Sequence, residues 1–245
     1  MQIKITLTPT APLHLPLSYH HLLQGMIYHL LSKNSSYSNF LHNMGYSNGK
    51  HPYKLFCFGL LEGSYRICQR NIIFDNTIIL EIRSPMDDFN EILYHSFLNT
   101  DFITLYNQTI PVTNIVATAH TVTKSSIKIK MKSPLCVSKT IYENDKKITL
   151  YSTPLDSDFS TLIQQNFLRK YTAASATHDM EKIQLQPISI GTKDKYVTKF
   201  KNSIYITGWK GIYQLEGSPE SLTFLYNVGL GARNSQGFGM FDIIS

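Results

Sequence analysis

The sequence has little cysteine, little tryptophan and little charge for its length. Its 245 residues include 3 cysteines and 1 tryptophan, and charged residues make up 16% of the chain. The cysteines, Cys57, Cys68 and Cys136, form no Cys-x-x-Cys pair, and none has a histidine at metal-ligand spacing. A set this sparse and odd in number excludes a disulfide framework and indicates a reducing compartment.

Long apolar runs are also missing. None approaches the ~20 residues that a membrane-spanning helix needs, so we expect no membrane partner. The N-terminal segment, MQIKITL, alternates apolar and polar residues, which predicts a strand rather than a signal peptide. We therefore expect a cytoplasmic protein.

Positive charge is in modest excess. The 23 Lys and Arg against 17 Asp and Glu give a formal net charge of +6. This balance suits a polyanionic partner such as nucleic acid, because bound Lys and Arg release counterions from phosphates. No carboxylate cluster is visible, so we expect neither a metal ion nor another cofactor. Several histidines are scattered along the chain and form no ligand cluster: His14, His95, His120 and His178.

The first half of the chain has the element order β-α-β-β-α-β. Ser18 is a plausible N-cap for an amphipathic helix over residues 19–32, and Ser84-Pro85 opens a second helix that ends near residue 98. The strand predictions in this half cover residues 2–8, 53–61, 65–70, 77–83 and 101–119. This order is typical of ferredoxin-like (RRM-like) domains.

The second half repeats the order more loosely. Helices are predicted over residues 158–171 and from a Ser218 cap to Asn227. Strands are predicted over residues 126–132, 135–142, 182–190, 195–200, 204–215 and 238–244. The sequence therefore predicts an α+β protein of two tandem ferredoxin-like domains, residues 1–120 and 121–245.

The strongest local motif is the segment 228–241, VGLGARNSQGFGMF, called the glycine-rich loop below. Glycine permits positive φ angles and lets a backbone approach a ligand closely, so the loop can aim N–H groups at a phosphate. A dinucleotide fingerprint would run from strand to helix and a P-loop would contain Gly-Lys-Ser/Thr, so neither fits. A turn that only packs the last helix on the sheet remains an alternative interpretation.

The pattern G-x-G-x-x-x-x-x-G-x-G before an apolar C-terminal strand resembles the hallmark of the RAMP (repeat-associated) superfamily. Within it, the sequence looks like the CRISPR repeat-cleaving endoribonucleases. Residues 120–200 match that family only in general pattern. The N-terminal half supplies independent matches in the family's order: Pro16-Leu17-Ser18-Tyr19, Gln24-Gly25-Met26-Ile27-Tyr28, Phe40-Leu41-His42 and Lys54-Leu55-Phe56.

The resemblance implies metal-independent cleavage of precursor CRISPR RNA within its repeats. The 2′-hydroxyl attacks the adjacent phosphorus and leaves a 2′,3′-cyclic phosphate and a 5′-hydroxyl. Carried over from the family, His42 is the general acid for the leaving oxygen, Tyr28 the base or positioner, and Lys54 the electrostatic stabiliser. The loop residues expected to bind RNA are Gly229, Gly231, Arg233, Asn234, Ser235, Gly237 and Gly239.

Several alternatives stay open on the residues alone. His29 or His51 could replace His42, and Lys50 competes with Lys54. A tyrosine at the margin of an apolar stripe is usually a packing residue. The chain could also be a non-catalytic RAMP-type subunit that holds RNA in a CRISPR effector complex, which makes such a complex a candidate partner beside the repeat RNA. A ferredoxin-like enzyme or sensor unrelated to RNA is a third hypothesis.

Overall fold

The computed structural model describes residues 1–47, 49, 51–143, 146–175, 182–200 and 204–245. It confirms a mixed, strand-rich α+β fold. No helix in these ranges is both long and apolar enough to cross a membrane. The elements up to residue 118 are β1 Gln2–Leu7, β2 Leu13–Pro16, α1 His20–Leu31, α2 Ser35–Asn39, a π-helical turn Phe40–Met44, β3 Tyr46–Ser47, β4 Pro52–Tyr53, β5 Cys57–Phe58, β6 Tyr65–Cys68, β7 Asn71–Phe74, β8 Ile78–Arg83, α3 Asp87–Leu98, β9 Phe102–Leu105 and β10 Gln108–Thr118.

The rest of the chain adds eight strands and two helices to the described structure. Two short 3₁₀ turns, Thr192–Asp194 and Asn234–Gln236, lie between them. The elements are β11 Ser126–Met131, β12 Ser138–Glu143, β13 Lys146–Tyr151, α4 Phe159–Ser175, β14 Gln184–Ser189, β15 Lys195–Phe200, β16 Ile204–Trp209, β17 Ile212–Glu216, α5 Pro219–Val228 and β18 Phe241–Ile243.

Two antiparallel sheets organise the molecule. The first has the strand order β5-β8-β1-β10-β9, and α1 and α3 share its apolar core. The second has the order β14-β17-β11-β18, and α4 and α5 share its core. The hairpins β12–β13 and β15–β16, the pair β3–β4 and the small sheet β2-β7-β6 complete the fold.

The single strand predicted over residues 53–61 is wrong, because neighbouring side chains there enter different cores. Leu55 has a positive φ of 50° and packs into the core of the second sheet. Phe56, the next residue, packs into the core of the first sheet. The chain therefore kinks between β4 and β5, and only Cys57 and Phe58 pair with β8.

Other boundaries of strands and helices differ from the predicted ones for local reasons. The strand predicted over residues 101–119 is a hairpin, because Tyr106 and Asn107 both take positive φ and turn the chain. Gly211 divides the strand predicted over residues 204–215 into β16 and β17, which join different sheets. Ser18 does not cap α1, whose N-cap is Tyr19 without a side-chain hydrogen bond.

A buried charge network joins the two sheets. Arg83, at the end of β8, is fully buried and donates to the backbone carbonyl of Phe241 at 2.6 Å and to the Asp242 carboxylate at 2.9 Å. It also pairs with Glu81, which accepts from Lys132 as well. Burial alone would raise the pKa of Glu81, but Arg83 and Lys132 more than offset it and hold that pKa below its usual range. The network fixes β18, and the glycine-rich loop before it, against the first sheet.

Candidate active site and glycine-rich loop

The structure brings Tyr28, His42 and Lys54 together, and we call these three residues the candidate catalytic cluster. Tyr28 lies in the last turn of α1, and its ring meets the edge of the His42 ring at 6.2 Å between centroids. Lys54 follows β4, and its Nζ donates to the backbone carbonyl of His42 at 2.9 Å and to that of Leu41. Three segments separate in sequence thus converge on one point.

The π-helical turn decides where His42 points. Leu41 is fully buried and anchors the turn in the first core, while His42, the next residue, is exposed. The turn ends at Gly45, whose φ is 66°. The ammonium of Lys54 binds carbonyl groups of this turn, a favourable place for a cation because helix C-termini carry partial negative charge. The histidine ring is left accessible to a ligand.

Burial changes the acid–base properties of two cluster residues. Desolvation raises the pKa of Tyr28 to about 12. Desolvation also lowers the pKa of Lys54 below its ordinary value. The Tyr28 hydroxyl therefore keeps its proton at neutral pH, so it can donate a hydrogen bond but is a poor base.

Of the competing residues, the structure separates His29 from the cluster. His29 lines a different cavity with Met26 and Phe102. His21 donates its Nδ1 proton to the Ser18 carbonyl at 2.8 Å. His51 is exposed. Lys50 lies outside the described residues. His42 is thus the histidine whose ring contacts Tyr28 among the residues that the structure describes.

The glycine-rich loop folds back on itself. Asn234 is buried, and its amide group donates to the carbonyls of Leu230 at 2.8 Å and Phe238 at 3.1 Å. Gly239 has a φ of 79°, and a side chain there would collide with the Leu230 carbonyl and lie 2.6 Å from the Asn234 amide nitrogen. The two ends of the loop therefore approach so closely that only glycine fits.

The tip of the loop presents N–H groups. Arg233 takes the left-handed conformation, with φ 63° and ψ 27°, and the 3₁₀ turn from Asn234 follows it. Successive left- and right-handed residues point consecutive N–H groups in one direction, which forms an anion-binding concavity. The N–H groups of Arg233, Asn234 and Ser235 have no acceptor among the described residues. The Arg233 guanidinium donates to the Gln236 side chain at 3.0 Å.

Two residues that hold the loop were missed by the sequence analysis. Lys170, on α4, donates from Nζ to the loop carbonyls of Gly229 and Gly231. It lies on the buried face of α4 with Ile163 and Phe167, seven and three residues earlier. A lysine within an apolar helical stripe was the signal that could have identified it.

His20 holds the other end of the loop. Its Nδ1 lies 3.1 Å from the Gln236 carbonyl, and its Nε2 lies 3.1 Å from the Tyr196 hydroxyl. A carbonyl can only accept, so Nδ1 carries the proton and Nε2 accepts from Tyr196. Burial lowers the pKa of His20 to about 4, which agrees with this neutral form. No sequence pattern indicated this contact between α1 and the loop.

A cavity of about 230 Å³ lies in front of the glycine-rich loop. Lys54 of the candidate catalytic cluster lines it, as do Lys170 and the loop tip from Gly231 to Ser235. A single ligand in this cavity can contact Lys54 and the loop, whereas Tyr28 and His42 do not line it. Among the residues that the structure describes, no three His, Cys, Asp or Glu side chains form a group that could hold a metal ion.

Comparison with known proteins gives a consistent result. The family model described as CRISPR associated protein Cas6, C-terminal, matches residues 112–243, more than half of the chain. An endoribonuclease of Methanocaldococcus jannaschii, CRISPR-associated endoribonuclease Cas6 1, is 25% identical over 98% of this chain and 91% of its own length. CRISPR-associated endoribonuclease Cas6 of Pyrococcus furiosus is 23% identical over 93% of this chain and 83% of its own length.

Solved structures share the whole fold. One described as CRISPR associated protein Cas6 superposes with a TM-score of 0.82 at 24% identity, over 100% of this chain and 99% of that chain. One described as a RAMP protein binding different RNA substrates superposes with a TM-score of 0.84 at 18% identity, over 100% of both chains. The chain shares the fold of RAMP-type proteins. Within that class, the chain belongs to the CRISPR-associated Cas6 family.

Proposed function

We propose that the chain cleaves precursor CRISPR RNA within its repeats, through attack of a 2′-hydroxyl on the adjacent phosphorus. The relatives from Methanocaldococcus jannaschii and Pyrococcus furiosus are CRISPR-associated endoribonucleases, and as a member of their family the chain is an endoribonuclease too. The observation that carries the mechanism is the convergence of Tyr28, His42 and Lys54 beside the cavity of the glycine-rich loop.

The reaction needs one proton removed from the 2′-oxygen and one delivered to the 5′-oxygen. As the new bond from the 2′-oxygen to phosphorus forms, the bond from phosphorus to the 5′-oxygen breaks, which yields a 2′,3′-cyclic phosphate and a 5′-hydroxyl. His42 donates the proton to the leaving oxygen, because its ring is accessible and histidine is the side chain most often used for this step. The proton of the 2′-hydroxyl passes to solvent water, because the high pKa of Tyr28 favours positioning over base catalysis. Lys54 stabilises the negative charge on the phosphorane.

RNA binding is assigned to the glycine-rich loop. Its tip offers the N–H groups of Arg233, Asn234 and Ser235 and the nearby Arg233 guanidinium, all suited to a phosphate. Gly229, Gly231, Gly237 and Gly239 supply the positive φ angles that the loop needs to take this shape. Lys54 lines the same cavity, so the phosphate at the loop can belong to the RNA strand that reaches the cluster.

The architecture assigned to this function is two ferredoxin-like domains, residues 1–120 and 121–245. Each sheet places its four principal strands in the order second, third, first, fourth: β5-β8-β1-β10 and β14-β17-β11-β18. That order, with a helix after the first strand and another after the third, is the ferredoxin-like arrangement. The first domain would carry the candidate catalytic cluster and the second the glycine-rich loop.

The test is cleavage of a labelled repeat RNA in EDTA, beside the same RNA with a single 2′-deoxy residue at the cut. We expect one cut in EDTA and none in the deoxy RNA, because the deoxy sugar lacks the nucleophile. Cleavage of the deoxy RNA, or a requirement for divalent metal, would contradict the mechanism. Tight binding without any cut would favour a non-catalytic RNA-holding role.

A further inference from the structure

Lys170 is a buried lysine that touches the glycine-rich loop from behind. Its side chain is 2% exposed and extends from α4. Nζ donates to the Gly229 carbonyl at 2.6 Å, the Gly231 carbonyl at 3.1 Å and the Asn234 side-chain oxygen at 3.0 Å. These three acceptors match the three N–H donors of an ammonium group.

Burying the ammonium group of Lys170 costs free energy, and packing of the core alone does not require a lysine there. None of the ion pairs among the described residues includes Lys170. Burial lowers its pKa to about 7, so the surroundings disfavour the charged form. An apolar side chain of similar length would fill the space without desolvating a charge. The lysine therefore serves the loop rather than the core.

The hydrogen bonds of Lys170 control the shape of the loop tip. They draw the carbonyls of Gly229 and Gly231 to one point and hold the Asn234 side chain there. Asn234 in turn ties the first half of the loop to the second. The N–H groups of residues 233–235 belong to the same turn, and the cavity in front of them is lined by Lys54, Lys170 and Arg233.

We infer that Lys170 is a positioning residue for RNA binding, which holds the glycine-rich loop in the shape that receives an RNA phosphate and adds positive charge behind it. The inference rests on the proposed function and deepens it by naming the residue that prepares the loop. Although Lys170 lines the cavity, its side chain is 2% exposed and its donors are used within the loop, so it acts through the backbone that it holds.

The test compares the full chain with its Lys170→Met variant, which keeps the length of the side chain and removes the donors. We expect Kd for repeat RNA to rise about tenfold to a hundredfold, because three loop acceptors lose their partner. The cleavage rate at saturating RNA stays within about threefold, since the candidate catalytic cluster is untouched. Lys124→Met, at an exposed lysine, controls for the loss of one charge, and Ile163→Ala, in the α4 core, controls for lost stability.

The pH profile of binding supplies a second readout that a purely structural role would not change. Lys170 becomes more fully charged as the pH falls through about 7. Wild-type affinity therefore weakens as the pH rises from about 6 to 8 more steeply than that of the Lys170→Met variant. Tyr53, Lys54 and Arg233 line the same cavity, and Cys57 interacts electrostatically with Lys170. Both proteins contain these groups, so the difference isolates Lys170.

Two results would overturn the inference. One is an unchanged Kd in the Lys170→Met variant. The other is a loss of RNA affinity in Lys170→Met that is no larger than the loss of RNA affinity in the destabilised control, Ile163→Ala. The proposed function fails separately. If wild-type protein binds repeat RNA through the loop without cutting it, cleavage is rejected and the role of Lys170 is retained. If wild-type protein binds no repeat RNA, both are rejected.

Discussion

The candidate catalytic cluster and the glycine-rich loop are held in opposite ways. His42 is exposed, with a ring contact to Tyr28 and a hydrogen bond to its neighbour Asn43. Asn234 of the loop is buried and hydrogen-bonded on both its oxygen and its nitrogen. A group that exchanges protons with a substrate must be reachable, whereas backbone N–H groups bind a phosphate well only if their geometry is set in advance. The candidate proton donor is thus exposed, whereas the candidate phosphate-binding loop is held by a buried side chain.

The sharpest way to test this division is to remove the imidazole of the cluster. We expect His42→Ala to slow cleavage about 10²- to 10⁴-fold, because general acid catalysis is lost. RNA affinity and thermal stability should stay unchanged, since the side chain is exposed. Single-turnover kinetics and Kd on the same preparation measure both quantities.

The matched control for that variant is His51→Ala, another exposed histidine. It should cleave as wild type does. Full activity in His42→Ala together with inactivity in His51→Ala or His29→Ala would contradict the assignment of His42 as the general acid. The general acid would then be His51 or His29.

The loop should respond to substitution in stability as well as in binding. We expect Gly239→Ala to destabilise the fold by about 2–4 kcal/mol, because its φ is 79° and a Cβ would collide with the Leu230 carbonyl. Gly25→Ala, in the exposed middle of α1 with no atom within 4 Å of the new Cβ, should instead stabilise by about 0.5–1 kcal/mol. Urea denaturation of both variants measures the contrast, and equal effects at the two sites would show that the loop is loosely held.

Acid should weaken the His20 contact that holds the end of the loop. Unfolded His20 binds a proton as the pH falls through about 6.5, whereas folded His20 does so only near pH 4. Neutral His20 therefore contributes about 3 kcal/mol to the free energy of unfolding. This contribution is complete above pH 6.5 and is lost between pH 6.5 and 4. The urea midpoint should fall by less between pH 7.5 and pH 5 in His20→Asn than in wild type. Parallel pH dependence in the two proteins would mean that His20 titrates normally.

The smallest expected effect distinguishes two roles for Tyr28. Tyr28→Phe keeps the ring between Phe56 and His42 and removes only the hydroxyl. A positioning hydrogen bond is worth about 1 kcal/mol, so cleavage should slow by about tenfold or less. Because the pKa of Tyr28 is raised to about 12, the rate profiles of both proteins should keep the same shape from pH 6 to 10. Loss of an alkaline limb in the variant would instead identify Tyr28 as the base.

The candidate catalytic cluster and the glycine-rich loop also differ in how much of each could be predicted from the sequence. Tyr28, His42 and Lys54 were predicted together from short motifs, and the structure places them within contact, while their catalytic roles stay predictions. The support of the loop was not predictable in the same way. Lys170 and His20 reach it from α4 and α1, at separations of dozens to more than two hundred residues. Such contacts leave no local periodicity.

The sequence by itself determined the α+β class, most helices and strands, and the glycine spacing of the loop, because these depend on local periodicity and backbone sterics. Only the tertiary structure decided that Leu55 and Phe56 enter different cores, since that depends on how two sheets pack. It also decided that Lys54 and Lys170 share a cavity with the loop. Proximity across the fold follows from the packing of distant segments, which no short stretch of sequence contains.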